Sequence, residues 1–207
     1  GLLLLLGSIN VLFGALQLDT IQQGPPPIPD ESVSITYFEQ PIPIVLHIIA
    51  GILLNLVAPL QFASPILKNT PALHRWTGRL LIGSSLVVGA TSLWMNQYYP
   101  AYGGFLKYTG IVAHSLILMA GMGLAMIYIY DRDIDRHRAW MMRAVAAGLG
   151  PATQRLIFLP LFFILGGFSD LGIGLVIWSG LLINLAVVEW VLYRDRVGAR
   201  LTAGVKS

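Results

Sequence analysis

His47, His74, His114 and His137 are the four histidines of this chain, and each stands near the start of one of four successive apolar segments. Neutral imidazole is a natural axial ligand for haem iron, and a flat macrocycle between two helices takes one such ligand from each. Consecutive membrane helices run in opposite directions. His47 and His114 are therefore expected near one membrane face, and His74 and His137 near the other. That layout predicts two stacked bis-histidine sites, each taking a haem b and its iron as the metal.

The elements that must position these residues are apolar helices. Hydrophobic residues make up 56% of the sequence and charged residues 11%, with a mean hydropathy of +0.72. An average soluble domain carries roughly 25% charged residues, so the composition is that of an integral membrane protein. Six apolar stretches follow one another, at 2–16, 42–62, 71–94, 107–130, 137–165 and 171–193. Most reach the roughly 20 residues that cross a hydrocarbon core. The fold class expected is an all-α bundle of six transmembrane helices forming one membrane domain over 1–207. The first stretch is short and begins at Gly1 without an initiator Met, so residues upstream are expected. It lacks the basic lead and small-residue cleavage site of a secretory signal. Residues 17–41 form the one long connection, with a Pro25-Pro26-Pro27 run that favours an extended loop over the bundle. The absence of cysteine excludes disulfides and thiolate sites.

Charge sets the expected orientation. The first connection holds Asp19, Asp30, Glu31 and Glu39 without a cation, and the second brings Lys68, Arg75 and Arg79. The third has Lys107 alone, the fourth Arg132, Arg136, Arg138 and Arg143, and the fifth Asp170. Arg194, Arg196, Arg200 and Lys206 follow the last segment. Cations thus gather on alternate loops, and the positive-inside rule places both termini on the cytoplasmic (inner) side. His47 and His114 then belong to the outer face and His74 and His137 to the inner. The net charge of +3 does not indicate nucleic acid, because the cations sit at membrane edges. Thr70 before Pro71 reads as an N-cap, and Asp133 or Asp135 as the cap of the fifth helix.

Glycines lie four residues from three of the histidines, in His47-Ile-Ile-Ala-Gly51, His74-Arg-Trp-Thr-Gly78 and Gly110-Ile-Val-Ala-His114. They share a face with the imidazole, so they leave room for a cofactor plane or serve close helix packing. The histidines have their own plainer alternative, as polar contacts to headgroups or a partner. Arg155 lies inside an apolar segment, where an arginine costs about 2.5–3.5 kcal/mol on insertion scales. An ideal helix carries it about 27 Å from His137, toward the outer site. There it pairs with a haem propionate or an anionic substrate, or snorkels to the interface. Asn55, Asn184 and Glu189 are candidates for interhelical hydrogen bonds. No phosphate-binding loop, nucleophile elbow or His-Glu-x-x-His zinc motif is present.

Pro59-Leu60-Gln61-Phe62, His74-Arg75-Trp76-Thr77-Gly78-Arg79, His137-Arg138-Ala139-Trp140-Met141-Met142-Arg143 and Thr153-Gln154-Arg155 resemble the predicted membrane proteins described as domain of unknown function 2306. The resemblance covers about residues 43–193. The four-histidine layout also resembles the cytochrome b-561 family. That second resemblance implies six helices with cytoplasmic termini, haem ligands on helices two to five paired two with four and three with five, and electron transfer across the membrane. The inner histidines lie nearer the helix ends than in that family, and no ascorbate-binding stretch is evident.

The sequence reading is a two-haem, b-type transmembrane oxidoreductase of a bacterial plasma membrane or organellar inner membrane. Arg75, Arg79, Arg138 and Arg143 would hold propionates or an anionic donor at the inner face. Its partners are the lipid bilayer, an unidentified electron donor and acceptor, and other subunits of a membrane complex. The alternatives are a haem-free accessory subunit of such a complex and a small-molecule transporter, the latter because Pro151 and Pro160 can break a helix.

Overall fold

A computed structural model of the chain describes residues 1–25, 35–63, 69–99 and 102–204, with side chains to residue 198. Among these residues every regular element is a helix. They are α1 (Leu2–Gln23), α2 (Thr36–Glu39), α3 (Pro41–Gln61), α4 (Pro71–Tyr98), α5 (Gly104–Tyr130), α6 (Ile134–Gly148), α7 (Gly150–Leu165) and α8 (Asp170–Gly204). Six helical stretches are long and apolar enough to cross a membrane, with α6 and α7 counting together as Ile134–Leu165. The chain is a multi-pass membrane protein.

Several boundaries move outward from those read in the sequence. The first helix does not stop near residue 16. Gln23 donates to Asp19 across one turn at 2.7 Å, and the Thr20 hydroxyl bonds back to the Leu16 carbonyl at 3.0 Å, so polar residues continue the helix. The short α1 is thereby a full span of 22 residues. Pro71 takes the first turn of α4 behind Thr70 as N-cap. Asp133 caps α6, accepting from the Arg136 backbone at 3.0 Å. Pro25 is described, whereas Pro26, Pro27, Asp30, Glu31, Ser34, Lys68, Lys206, Ser207 and the side chain of Arg200 lie outside the described residues.

The fifth span is broken at Leu149, where α6 ends and α7 begins. Pro151 has no N–H to give the Ala147 carbonyl, and its ring crowds that turn. A polar side chain repairs the neighbourhood. Asn184 donates to the Ala146 carbonyl at 3.0 Å while accepting from the Thr153 hydroxyl at 2.8 Å. Freed backbone groups inside a bilayer need such partners, since lipid offers none.

The spans close in a ring: α1 packs on α3, α3 on α4, α4 on α5, α5 on α8, α8 on α7, and α7 back on α1. Helix α6 fills one end, against α5 and α8. Small residues permit these approaches, as expected where lipid gives no hydrophobic drive to helix association. A Cβ on Gly121 would stand 3.0 Å from that of Ala144, and one on Gly180 would meet the Gly150 carbonyl oxygen at 2.8 Å.

The packed core of Leu54, Leu81, Leu118, Met122, Val145 and Leu181 lies at mid-depth and toward the end that carries both termini, here called the terminal end. The opposite, far end is looser. There Tyr37 of α2 packs against Tyr99 with ring centroids 5.4 Å apart and the planes tilted by 54°, and the Tyr99 hydroxyl donates to the Gln40 carbonyl at 2.7 Å. The described part of the long connection is thus tied to the top of α4. Burial and then the neighbouring Tyr102 push the Tyr37 phenol above its ordinary range.

Candidate functional site

A cavity of about 310 Å³ occupies the far half of the ring, at the small end of the roughly 300–1,000 Å³ typical of ligand sites. His47 of α3, His114 of α5 and Arg155 of α7 all line it, so the structure brings together the three residues assigned to one site from sequence. Arg155 lies close enough to His47 to act on it electrostatically. The site is deeper than the segment limits implied. Because α5 starts at Gly104, His114 lies roughly 15 Å along its helix, and His47 roughly 9 Å along α3.

The imidazole tautomers follow from their partners. His114 Nδ1 lies 2.9 Å from the Gly110 carbonyl, which can only accept, so Nδ1 carries the proton and Nε2 the lone pair. His137 Nδ1 is fixed likewise by the Ala125 carbonyl at 2.8 Å. His47 Nδ1 sits 3.1 Å from the Thr91 hydroxyl, whose own proton goes to the Val87 carbonyl at 2.6 Å. That hydroxyl is therefore an acceptor toward Nδ1, whereas the Ser92 hydroxyl, 3.4 Å from the same nitrogen, can donate to it, so these two partners leave both His47 tautomers satisfied. His74 differs, since its Nδ1 is buried without a partner. It lies within electrostatic range of His137.

Thr153, Gln154 and Arg155 each reach a different part of the ring. Thr153 bonds Asn184 of α8. The Gln154 amide nitrogen lies 3.1 Å from His114 Nε2 and 3.2 Å from the Ile177 carbonyl. Arg155 donates to Asn10 of α1 at 2.6 Å, and Asn10 donates in turn to Asn55 at 3.0 Å. Helix α1 is thus hydrogen-bonded to Arg155 through an amide. Arg155 does not simply snorkel: its guanidinium also lies 4.8 Å from the centroid of the Phe13 ring, inside the ring of helices.

The glycines divide. A Cβ on Gly51 would meet nothing within 4 Å, and Gly51 opens on the cavity, whereas Gly78 faces the Gln61 amide at 3.2 Å and Gly110 faces Ile177 at 2.7 Å. Only Gly51 offers a cofactor room; the other two serve packing. Gln61 donates to the Thr77 hydroxyl at 2.5 Å and the His74 carbonyl at 3.3 Å, locking the elbow from which His74 projects.

At the terminal end, two of the four arginines are already engaged. Arg143 grips Glu189 through two contacts of 2.6 and 3.0 Å, and Arg138 pairs with Asp195 at 2.7 Å. Arg75 and Arg79 are exposed, Arg79 over the Trp76 ring. Asn55, Asn184 and Glu189 all make the interhelical bonds expected of them. The sequence reading missed Asn10, Thr91, Lys107 and Gln154 as site residues. Asn10 carried the same signal as Asn55, an amide inside an apolar segment, and Lys107 is 8% exposed on the cavity wall.

Among the described residues no group of three or more His, Cys, Asp or Glu is placed to hold a metal ion. No curated protein and no solved structure matches the chain. A family model does match, over residues 44–192, a stretch that contains all four histidines, Lys107 and Arg155. The chain therefore belongs to the family of predicted membrane proteins described as domain of unknown function 2306.

Proposed function

We propose that the chain is a two-haem, b-type electron carrier, with one haem on His47 and His114 and the other on His74 and His137. The observation that carries this reading is the tautomer of two imidazoles, one in each pair. His114 and His137 each commit Nδ1–H to a backbone carbonyl and leave Nε2 as a lone pair. Ligating histidines are oriented in this way, the second nitrogen held so that the first is basic and correctly aimed. A bis-imidazole b haem supplies one-electron exchange between ferrous and ferric iron.

The donor set at the far end fits that group. Two imidazoles, the open space beside Gly51, and the cations of Lys107 and Arg155 for propionates share one cavity. Gln154 must then release His114 Nε2, which a side-chain rotation accomplishes. At the terminal end Arg75 and Arg79 are the arginines left for propionates, since Arg138 and Arg143 are paired. His74 fits less closely, having no partner on Nδ1.

An absorption spectrum of the purified, dithionite-reduced protein tests the reading. The expected result is the sharp α-band of low-spin six-coordinate haem b, with two haems per chain. A colourless protein from cells supplied with haem would overturn it and favour the haem-free accessory subunit.

A further inference from the structure

Lys107 and Arg155 put two cationic side chains on the wall of one membrane-embedded cavity, and among the described residues no carboxylate lines that cavity or forms an ion pair with either. The Lys107 ammonium rests 3.8 Å from the Tyr102 ring centroid. Arg155 has five N–H donors, yet among the described residues its one hydrogen bond goes to Asn10. An amide and two aromatic rings ease these charges without cancelling them, and a buried cation without a counter-charge is costly. Ile48, Ile52, Val88, Ile111 and Leu118 make much of the remaining wall apolar. The volume is too small for a two-chain phospholipid and suits a single-headed molecule.

We infer that the cavity binds an amphipathic carboxylate, its head between Lys107 and Arg155 and its apolar body along the aliphatic wall. Arginine suits this head because its fork matches a carboxylate with two parallel hydrogen bonds. The inference needs only the charge and shape of the cavity, and stands whether or not haem is bound. The carboxylate has two possible sources: a free medium-chain acid dissolved in the bilayer, or the side chain of a bound cofactor.

Binding of radiolabelled decanoate and decanol to the full chain in zwitterionic nanodiscs, read by scintillation proximity, tests it. Decanol reports the apolar wall alone. Where the pair is accessible, decanoate is expected to bind at least about tenfold more tightly, from charge-assisted hydrogen bonding. Lys107→Gln and Arg155→Gln should each weaken decanoate about tenfold and leave decanol unchanged. Arg155→Lys should keep part of the preference, and size-exclusion profiles show that each variant is folded. His47→Ala separates the sources. A decanoate preference that emerges only when this substitution removes haem absorbance assigns the pair to a cofactor's carboxylate. A preference already present in the unsubstituted protein assigns it to a free acid. Equal affinities for acid and alcohol in both proteins, or an acid affinity untouched by either glutamine substitution, would overturn the inference.

Discussion

Gly150 lies against the His114 ring so closely that a Cβ on it would stand 2.5 Å from Nε2. The break in the fifth span therefore ends at a residue whose missing side chain gives an imidazole its place. Gly150→Ala is expected to push the ring aside at a cost of about 1–3 kcal/mol, the usual range for overpacking. Haem per chain should fall from two to one, the far-end haem being lost. An unchanged ratio would show that the ring relocates without losing its ligand position.

The two histidine pairs should be separable. His47→Ala or His114→Ala removes the far-end haem and spares most of the other, and His74→Ala or His137→Ala does the reverse. Haem content and the two redox components measure this. Loss of both haems from His74→Ala, with His47→Ala silent, would show the pairing to be wrong.

Arg155 lines one cavity with His47 and His114, so the proposed far-end haem is the one it should tune. A guanidinium favours the reduced state, which carries one less positive charge on iron. Arg155→Gln should lower that midpoint potential by tens of millivolts, on the rough scale of 59 mV for a tenfold change in a one-electron equilibrium. Redox titration decides it, and a shift confined to the terminal-end component would refute the assignment.

Orientation is testable in a chain without cysteine. Gln23 is exposed at the far end and Asp131 at the terminal end. The charge pattern predicts that Gln23→Cys reacts with an impermeant maleimide from outside and Asp131→Cys only after permeabilisation. Reversed labelling would invert the sidedness of both histidine pairs.

Much of this architecture was legible because membrane insertion leaves a simple signal. Hydropathy alone located the six spans, and Asp133 and Pro71 marked two helix starts. Helix ends were less legible. Five of the seven residues from Gln17 to Gln23 are polar, yet they continue α1 through bonds within the helix, which composition does not report. The grouping of His47, His114 and Arg155 followed from helix direction and rise. The partners of Arg138 and Arg143 did not, because Glu189 and Asp195 lie 46 and 57 residues away in sequence, and only the packing of α6 on α8 brings them near. Lys107 looked like an ordinary loop cation, since the helical turn that buries it begins three residues before the apolar run.

Among the described residues Asn10 is the one polar side chain that α1 hydrogen-bonds to Arg155, and it stands outside the stretch that the family model matches. The residue opposite the guanidinium thus comes from a different helix than both imidazoles and both cations. An amide there supplies an acceptor and no charge; an aspartate would supply the counter-charge itself and shut out an anionic ligand; an aliphatic residue would leave every guanidinium donor to the ligand. The side chain at this one position therefore sets how much of the guanidinium is left for whatever the cavity holds.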